Sequence, residues 1–307
     1  MTTAVNTSTS PTSRFVNGLL SIKPLANLAK QQARNMMIKR AEKIGVPWRQ
    51  RVQELRTHDW DSELAEVQNT QLTYPEYYLR SFHAYERGNL SWDAALEVEV
   101  ASYAVHAGIY PEDGAKGDAK LRQSYHDSVK PQVTIQLQDI LDLGCSVGMS
   151  TFALQDVYPS AKVTGVDLSP YFLAVAQYNA RQRNPQINWR HAAAESTGLS
   201  DASFDLVSAC LLLHELPQQA SRHLFCEARR LLRPGGYLAI MDMNPKSEVY
   251  AKMPPYILTL LKSTEPYIDE YFTLDIEKSL VDAGFHPPTI TANTPRHRTV
   301  ITQVKSI

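Results

Sequence analysis

The sequence predicts an α/β fold: a doubly wound, mostly parallel seven-stranded sheet behind an N-terminal helical cap. Three observations carry this expectation. From Val133 to the C-terminus, short apolar runs alternate with helical segments, the pattern of parallel strands joined by crossover helices. The first ~130 residues show no comparable strand and place their apolar residues at helical spacing. Two consecutive strands end in an acid, Asp142 and Asp167, before turns that open helices.

The chain starts with a Ser/Thr-rich stretch, 1–13, expected to be disordered. Between Arg14 and Arg51, nine basic residues stand against one acid, Glu42, beside Leu25, Ala29, Met36, Met37, Ala41 and Ile44. Such a segment reads as a helix lying on a membrane surface, a helix packed on the core, or a transit-peptide-like leader. Pro47 and Trp48 are expected to end it. Residues 50–68 predict a second helix through Val52, Leu55, Leu64 and Val67, and an aromatic stretch from Tyr74 to Tyr85 follows. Gly88-Asn89 breaks the pattern, and Ser91 N-caps a helix that buries Trp92, Ala95, Leu96, Val100, Tyr103 and Ala104. Pro111–Gly117 is a turn cluster, and Lys130-Pro131 closes a polar segment. Residues 14–130 are thus read as the cap and 131–307 as the sheet domain.

Within that domain the expected strands end in Ile140–Leu143 and run over Lys162–Asp167, Ile187–His191, Phe204–Ala209 and Gly236–Met241. Helices are expected over Gly148–Val157, Ser169–Arg183, Gln218–Leu232 and Leu274–Ala283. Two last strands, Thr289–Ala292 and Thr299–Val304, suggest a hairpin.

Composition removes several function classes. The 307 residues carry 31 basic and 32 acidic side chains, so no overall charge draws the chain to nucleic acid. Cys145, Cys210 and Cys226 are odd in number, far apart and without CxxC spacing, which argues against disulfides or a zinc site and for a reducing compartment, the cytoplasm. No apolar run reaches the ~18 residues of a membrane span.

The chemistry gathers first at Asp142-Leu143-Gly144-Cys145-Ser146-Val147-Gly148. Small residues at alternate positions let a backbone approach a ligand closely, and the helix that follows offers free N–H groups. Alone, such a turn is equally a tight turn and nothing more. Asp167, at the end of the next strand, adds an acid able to accept both hydroxyls of a ribose. A nicotinamide enzyme would show GxGxxG here, yet from Gly144 the chain reads Gly144, Ser146, Met149.

These residues resemble the first motif of class I S-adenosylmethionine-dependent methyltransferases. Val166-Asp167-Leu168-Ser169-Pro170 resembles their ribose-binding segment, Ser203–Val207 their fourth strand, and Leu232–Tyr237 the turn into their fifth. The nearest subgroup is the type 11, ubiquinone/menaquinone-biosynthesis kind, and the resemblance covers about residues 133–307. It implies a Rossmann-like domain with S-adenosyl-L-methionine as cofactor. Asp142, Gly144, Cys145 and Ser146 would line the methionine part, with Gly148 in the same turn. Asp167 would hold the ribose, Leu168 would lie against the adenine, and Ala194 and Glu195 would offer it backbone groups. Two positions depart from the family: Ser146 replaces a usual Gly, and Ala193 a frequent Asp that would accept from the adenine amino group.

On the acceptor side, His214, just past strand four, and His83, in the aromatic stretch, are the candidate acid/base residues. For each, a merely hydrogen-bonded structural histidine is the bland reading. His191 reads as a sheet-edge residue. Asp242 and Asn244 lack a third clustered ligand, so no metal is expected. Tyr74, Tyr77, Phe82 and Tyr85 are candidate substrate contacts, with ordinary packing of the cap as the alternative; with the apolar segment Pro254–Phe272 they suggest a lid over a small hydrophobic or aromatic acceptor. The expected activity is therefore methyl transfer to such an acceptor, without a nucleic-acid partner and with a candidate peripheral membrane contact through residues 14–51. The alternative is a non-catalytic methyltransferase-like binding module, which Ala193 and Ser146 favour and the Asp142/Asp167 pair opposes.

Overall fold

The computed structural model describes residues 23–83, 85–183 and 186–305; the stretch 1–13 and Arg14 lie outside the described residues. The basic segment forms helix α1 (Lys23–Lys43). Its Ile38 and Ala41 are buried with Val46, Trp48 and Val52 against Val100 and Ala104 of helix α4 (Trp92–His106). Charges of the basic segment meet acids of the cap: Arg34 of α1 donates to the fully buried Glu97 (Nε–Oε2 2.9 Å), and beyond α1 Arg49 pairs with Glu42 and Arg51 faces Glu99 at 3.4 Å. For these residues the packed-helix reading describes the segment. No helix among the described residues is long and apolar enough to cross a membrane.

Trp48 begins rather than ends a helix, α2 (Trp48–Arg56), and the single helix expected over 50–68 is divided, α3 being Asp61–Val67. Trp60 causes the division: its ring turns into the core and its indole N–H donates to the Leu55 carbonyl (2.9 Å), so the chain folds back on itself. The aromatic stretch forms one 3-10 turn, Glu76–Leu79, and an isolated bridge between Phe82 and Tyr85. Ser91 caps α4 as expected, accepting from the Ala94 amide.

The polar segment before Lys130 is a helix, α5 (Gly117–Val129). It covers one face of the sheet with Leu121, Tyr125 and Val129, and the Tyr125 hydroxyl reaches Ser208 Oγ (2.9 Å) and the Ala239 carbonyl (3.1 Å). Its apolar stripe is only these three residues at four-residue spacing, which is why composition alone reads as polar.

From there strand and helix alternate: β1 (Asp139–Leu143), α6 (Met149–Val157), β2 (Lys162–Asp167), α7 (Pro170–Arg183), β3 (Ile187–His191), β4 (Phe204–Cys210), α8 (Gln218–Leu231) and β5 (Leu232–Met243). Short helices α9 (Glu248–Ala251), α10 (Pro255–Thr264), α11 (Ile268–Thr273) and α12 (Ile276–Asp282) precede β6 (Thr289–Ala292) and β7 (His297–Gln303). The seven strands lie in the order β3-β2-β1-β4-β5-β7-β6, parallel through β5 and antiparallel beyond, with β6 and β7 paired. β5 starts four residues earlier than expected. Phe204 pairs with Leu232 and Leu206 with Tyr237, so Arg233–Gly236 loops out of register around Pro234, which has no amide proton.

Alternation along the strands sorts the core. Leu141, Leu143, Val207, Leu238 and Ile240 face α8, α11 and α12; Ile140, Val163, Leu206, Ala239 and Met241 face α5 and α6. Helix α7 instead packs Phe172, Ala174 and Val175 against Leu55, Trp60 and Ala94–Leu96, which ties the cap to the sheet domain. Sheet order reverses at β1, whose neighbours are β2 and β4; ligands of doubly wound sheets bind at the carboxyl edge of such a point.

Candidate active site

At the end of β1, Asp142 is fully buried and its Oδ2 accepts from the hydroxyls of Ser150 (2.6 Å) and Thr151 (2.7 Å), tying the strand to the first turn of α6. The turn between them needs left-handed backbone. Gly148 caps α6 at φ +88°, and a Cβ there would meet Phe152 and Trp189 below 3 Å. Ser146 adopts φ +50°, a region that favours Gly. The Ser146 amide donates to Asp167 Oδ2 (2.8 Å), and the Ser169 amide donates to Oδ1 (2.8 Å). Asp167 thus clasps both turns of the β1–β2 edge. Burial pushes its carboxyl up to about 7 against those two amides, and pushes Asp142 up to about 6 against its two hydroxyls.

The edge has polar capacity left over. Asp142 Oδ1, Ser146 Oγ, Glu195 Oε2 and Asn89 Oδ1 are buried without a partner among the described residues. Buried polar atoms are normally satisfied, so this set fits a polar ligand carrying hydroxyl and amino groups. The Cys145 side chain is not part of it: its Sγ points inward, 3.0 Å from where a Gly165 Cβ would stand, leaving only backbone.

The β2–β3 end is lined from the cap. His191 Nδ1 accepts from the Asn69 amide (2.9 Å), so Nε2 carries the proton and donates to the Leu168 carbonyl (3.0 Å). With Asn69 held there, Tyr74 stacks on Tyr78 (6.3 Å, 8° between planes) and Tyr77 donates to Glu195 Oε1 (2.6 Å). Tyr74 and Tyr77, expected at the acceptor, therefore lie beside His191, Leu168 and Glu195. Ala194 is buried at the same place. Phe82 is buried against Tyr267 (6.0 Å), while the Tyr85 hydroxyl donates to Glu97 (2.8 Å) inside the cap, away from this edge.

The β4–β5 end collects a second set. His214 sits in the 3-10 turn Leu213–Glu215 just after β4. Its Nδ1 is 2.7 Å from Asp242 Oδ1 at the end of β5, and its amide donates to Asp242 Oδ2 (3.2 Å). His83, at φ +49°, donates its amide to the Thr264 carbonyl (3.1 Å) and places Nε2 3.3 Å from Glu265 Oε1 and 3.4 Å from Glu215 Oε1. Burial opposes the charged form of His214, but the carboxylates of Asp242, Glu265 and Glu215 outweigh it and push its pKa up to about 10. Asn89 joins the two ends: its side-chain Nδ2 donates to Glu215 Oε2 (3.0 Å) and its backbone carbonyl accepts from Ser169 Oγ (2.6 Å).

The structure thus brings His83 and His214 together from distant segments. Sequence reasoning missed Glu265, Asn89 and Tyr78. Glu265 is one of three acids, with Asp269 and Glu270, in the segment Pro254–Phe272, and nothing local singles it out; Asn89 reads as half of a chain break, and Tyr78 as one aromatic among several. Asn244, paired with Asp242 in the sequence reading, instead folds a turn, accepting from the Lys246 amide (3.1 Å). Clefts lined by Asp139, Lys162 and Phe204, and by Lys130, Leu137 and Tyr158, lie at the opposite, amino ends of the strands, away from these groups.

Residues 140–236 match a family model described as a methyltransferase domain. A ubiquinone biosynthesis O-methyltransferase of Aromatoleum aromaticum is 32% identical over 134 residues, covering 42% of this chain and 56% of the relative. An uncharacterized methyltransferase of Synechocystis sp. is 31% identical over 148 residues, covering 48% and 66%. The chain thus spans less than two thirds of the length of either relative. Among solved structures, the phosphoethanolamine N-methyltransferase 2 of Haemonchus contortus, complexed with phosphomonomethylethanolamine and S-adenosylhomocysteine, superposes with a TM-score of 0.55. That likeness, at 16% identity over 72% of this chain and 61% of the other, is one of fold.

Proposed function

We infer that this class I S-adenosylmethionine-dependent methyltransferase moves the methyl group of its cofactor onto a small hydrophobic or aromatic acceptor that presents an oxygen. The observation that carries the reading is the division of one sheet edge at the reversal point: on β1–β2 two buried acids, Asp167 clasping both turns and Asp142 with an unpartnered Oδ1, and on β4–β5 a His214–Asp242 pair. On the first side, Asp167 holds the ribose hydroxyls, the turn 144–148 meets the methionine part, and the adenine lies by Leu168, Ala194 and Glu195. Tyr74, Tyr77 and Tyr78 close over it.

The bound cofactor supplies an electrophilic sulfonium methyl. What remains for the chain is alignment, exclusion of water and management of the acceptor's proton. His214 is fixed by Asp242 at Nδ1, leaving Nε2 for the acceptor. Held charged by its three carboxylate neighbours, the imidazole favours the ionised form of an acceptor oxygen. Apolar surface for the acceptor's body is at hand in α10, where Tyr256, Ile257 and Leu260 are exposed. The printed name of the Aromatoleum aromaticum relative, an O-methyltransferase, supports an oxygen acceptor. The His214–Asp242 pair speaks for an enzyme over a binding module, because a module needs no such group facing the acceptor side.

Calorimetry with S-adenosylhomocysteine tests the reading. The full chain should bind it saturably, and Asp167→Ala should weaken binding at least about tenfold, the loss expected for charged hydrogen bonds worth ~1.5–3 kcal/mol each. A folded wild type without binding would contradict it.

A further inference from the structure

The cluster at the β4–β5 end contains more than proton transfer requires. His214 Nε2 is already turned outward by the Asp242 bond at Nδ1. His83 Nε2 stands 3.3 Å from Glu265 Oε1, and one ligand atom from each of His83, His214 and Glu265 lies within 4.8 Å of the others. Bonds of about 2.0–2.1 Å to one ion would set donor pairs about 3.0–3.4 Å apart, so His83 and Glu265 already stand at that spacing and His214 closes a short remaining gap. Glu265 Oε2 is buried and has no partner among the described residues, although its side chain is only 9% exposed.

We propose that His83, His214 and Glu265 bind a divalent first-row transition ion. Two imidazoles and one carboxylate form a donor set that such ions take while keeping positions open. Asp242 supplies the outer carboxylate that metal-bound histidines regularly use, fixing the His214 tautomer. Three carboxylates, Glu215, Asp242 and Glu265, face two imidazoles, and an ion displacing the imidazole protons satisfies the same field with better geometry. The left-handed φ of His83 is strain in a non-glycine residue, held by the hydrogen bond its amide donates to the Thr264 carbonyl at the head of the loop that carries Glu265. The sequence alone leads to no metal being expected, because Asp242 and Asn244 lack a third ligand; the ligands proposed here come instead from the cap, the turn after β4 and the loop after α10.

This inference rests on the proposed acceptor side. An ion there would take His214 Nε2, so that the ion, in place of the imidazolium, would meet the acceptor oxygen at its open positions and ease its deprotonation, as bound ions do for water. The test uses the full chain, freed of metal by chelation and titrated with Co2+, reading visible ligand-field absorption and the bound stoichiometry after dialysis. One equivalent with a visible band is expected. His83→Gln and Glu265→Gln should each weaken binding at least tenfold, and Asp242→Asn should weaken it about 10–100-fold. His223→Ala, an exposed histidine on α8, should change nothing. S-adenosylhomocysteine binding, measured on the same samples, reports the cofactor reading separately. No stoichiometric Co2+ binding by the wild type, or unchanged binding in both folded ligand variants, overturns the site; loss of cofactor binding alone would leave it standing.

Discussion

The two ends of the carboxyl edge are built differently. At β1–β2, everything from Asp142 to Ser169 comes from one strand–turn–helix–strand–turn run, and Asp167 closes it by accepting from the amides of Ser146 and Ser169. At β4–β5, the working groups are His83, His214, Asp242 and Glu265, drawn from the cap, two strand ends and the loop after α10. A local site is set by hydrogen bonds that form as the strands pair, whereas a site assembled from four segments exists only once the cap has docked. The first end suits a ligand that many enzymes share, and the second can diverge segment by segment to suit one acceptor.

Substitutions at the two ends should therefore separate binding from chemistry. The largest effect is expected from His214→Ala, with turnover falling about 10²–10³-fold, the range for a charged donor that stabilises a developing oxyanion, and cofactor affinity unchanged. Steady-state kinetics beside calorimetry checks it, and a parallel loss of cofactor affinity would merge the two ends into one.

Asp167 should show the converse pattern together with a pH signature. Its carboxyl, at about 7 in the folded chain against an ordinary 3.8, must be ionised to accept from ribose. Affinity for S-adenosylhomocysteine should then fall as pH drops through about 7 and level off above it, a dependence absent in Asp167→Asn. The folded state binds the extra proton between about 4 and 7, so the ligand-free protein should lose stability as pH rises through that window. Thermal denaturation across pH, in both proteins, reads the difference.

Tyr77→Phe sharpens the boundary between the ends. Losing the bond to Glu195 should weaken cofactor binding about 2–10-fold, the worth of ~0.5–1.5 kcal/mol, and leave the acceptor KM where it was. A change confined to the acceptor KM would return Tyr77 to the substrate side.

How much of this was legible in the sequence follows the same division. β1–β2 was legible because strand ends, small residues and a Ser-Pro helix start lie next to one another. The Ser146 departure could be seen as a residue type; only the backbone shows that it occupies φ +50°. The acceptor end was legible in pieces: His83 and His214 carry obvious chemistry, but nothing local links them, and Glu265 is one of three acids in its segment with no motif to mark it. Aromatic richness makes Tyr74 and Tyr77 candidate substrate contacts but says nothing about which strand end they stand beside; the Asn69–His191 bond places this stretch by β2 and β3. The smallest predicted effect comes from Ser146: Ser146→Gly should relieve the left-handed strain of roughly 1 kcal/mol and raise the melting temperature by about 2 °C, with cofactor affinity at least retained.

The division of the edge is tested most directly by a crystal structure with S-adenosylhomocysteine. The account predicts both ribose hydroxyls within hydrogen-bond distance of Asp167, the adenine beside Leu168 and Glu195 under Tyr77, and the sulfur facing the gap toward His214. A ribose held by any other acid, or a sulfur turned away from His214, would contradict it.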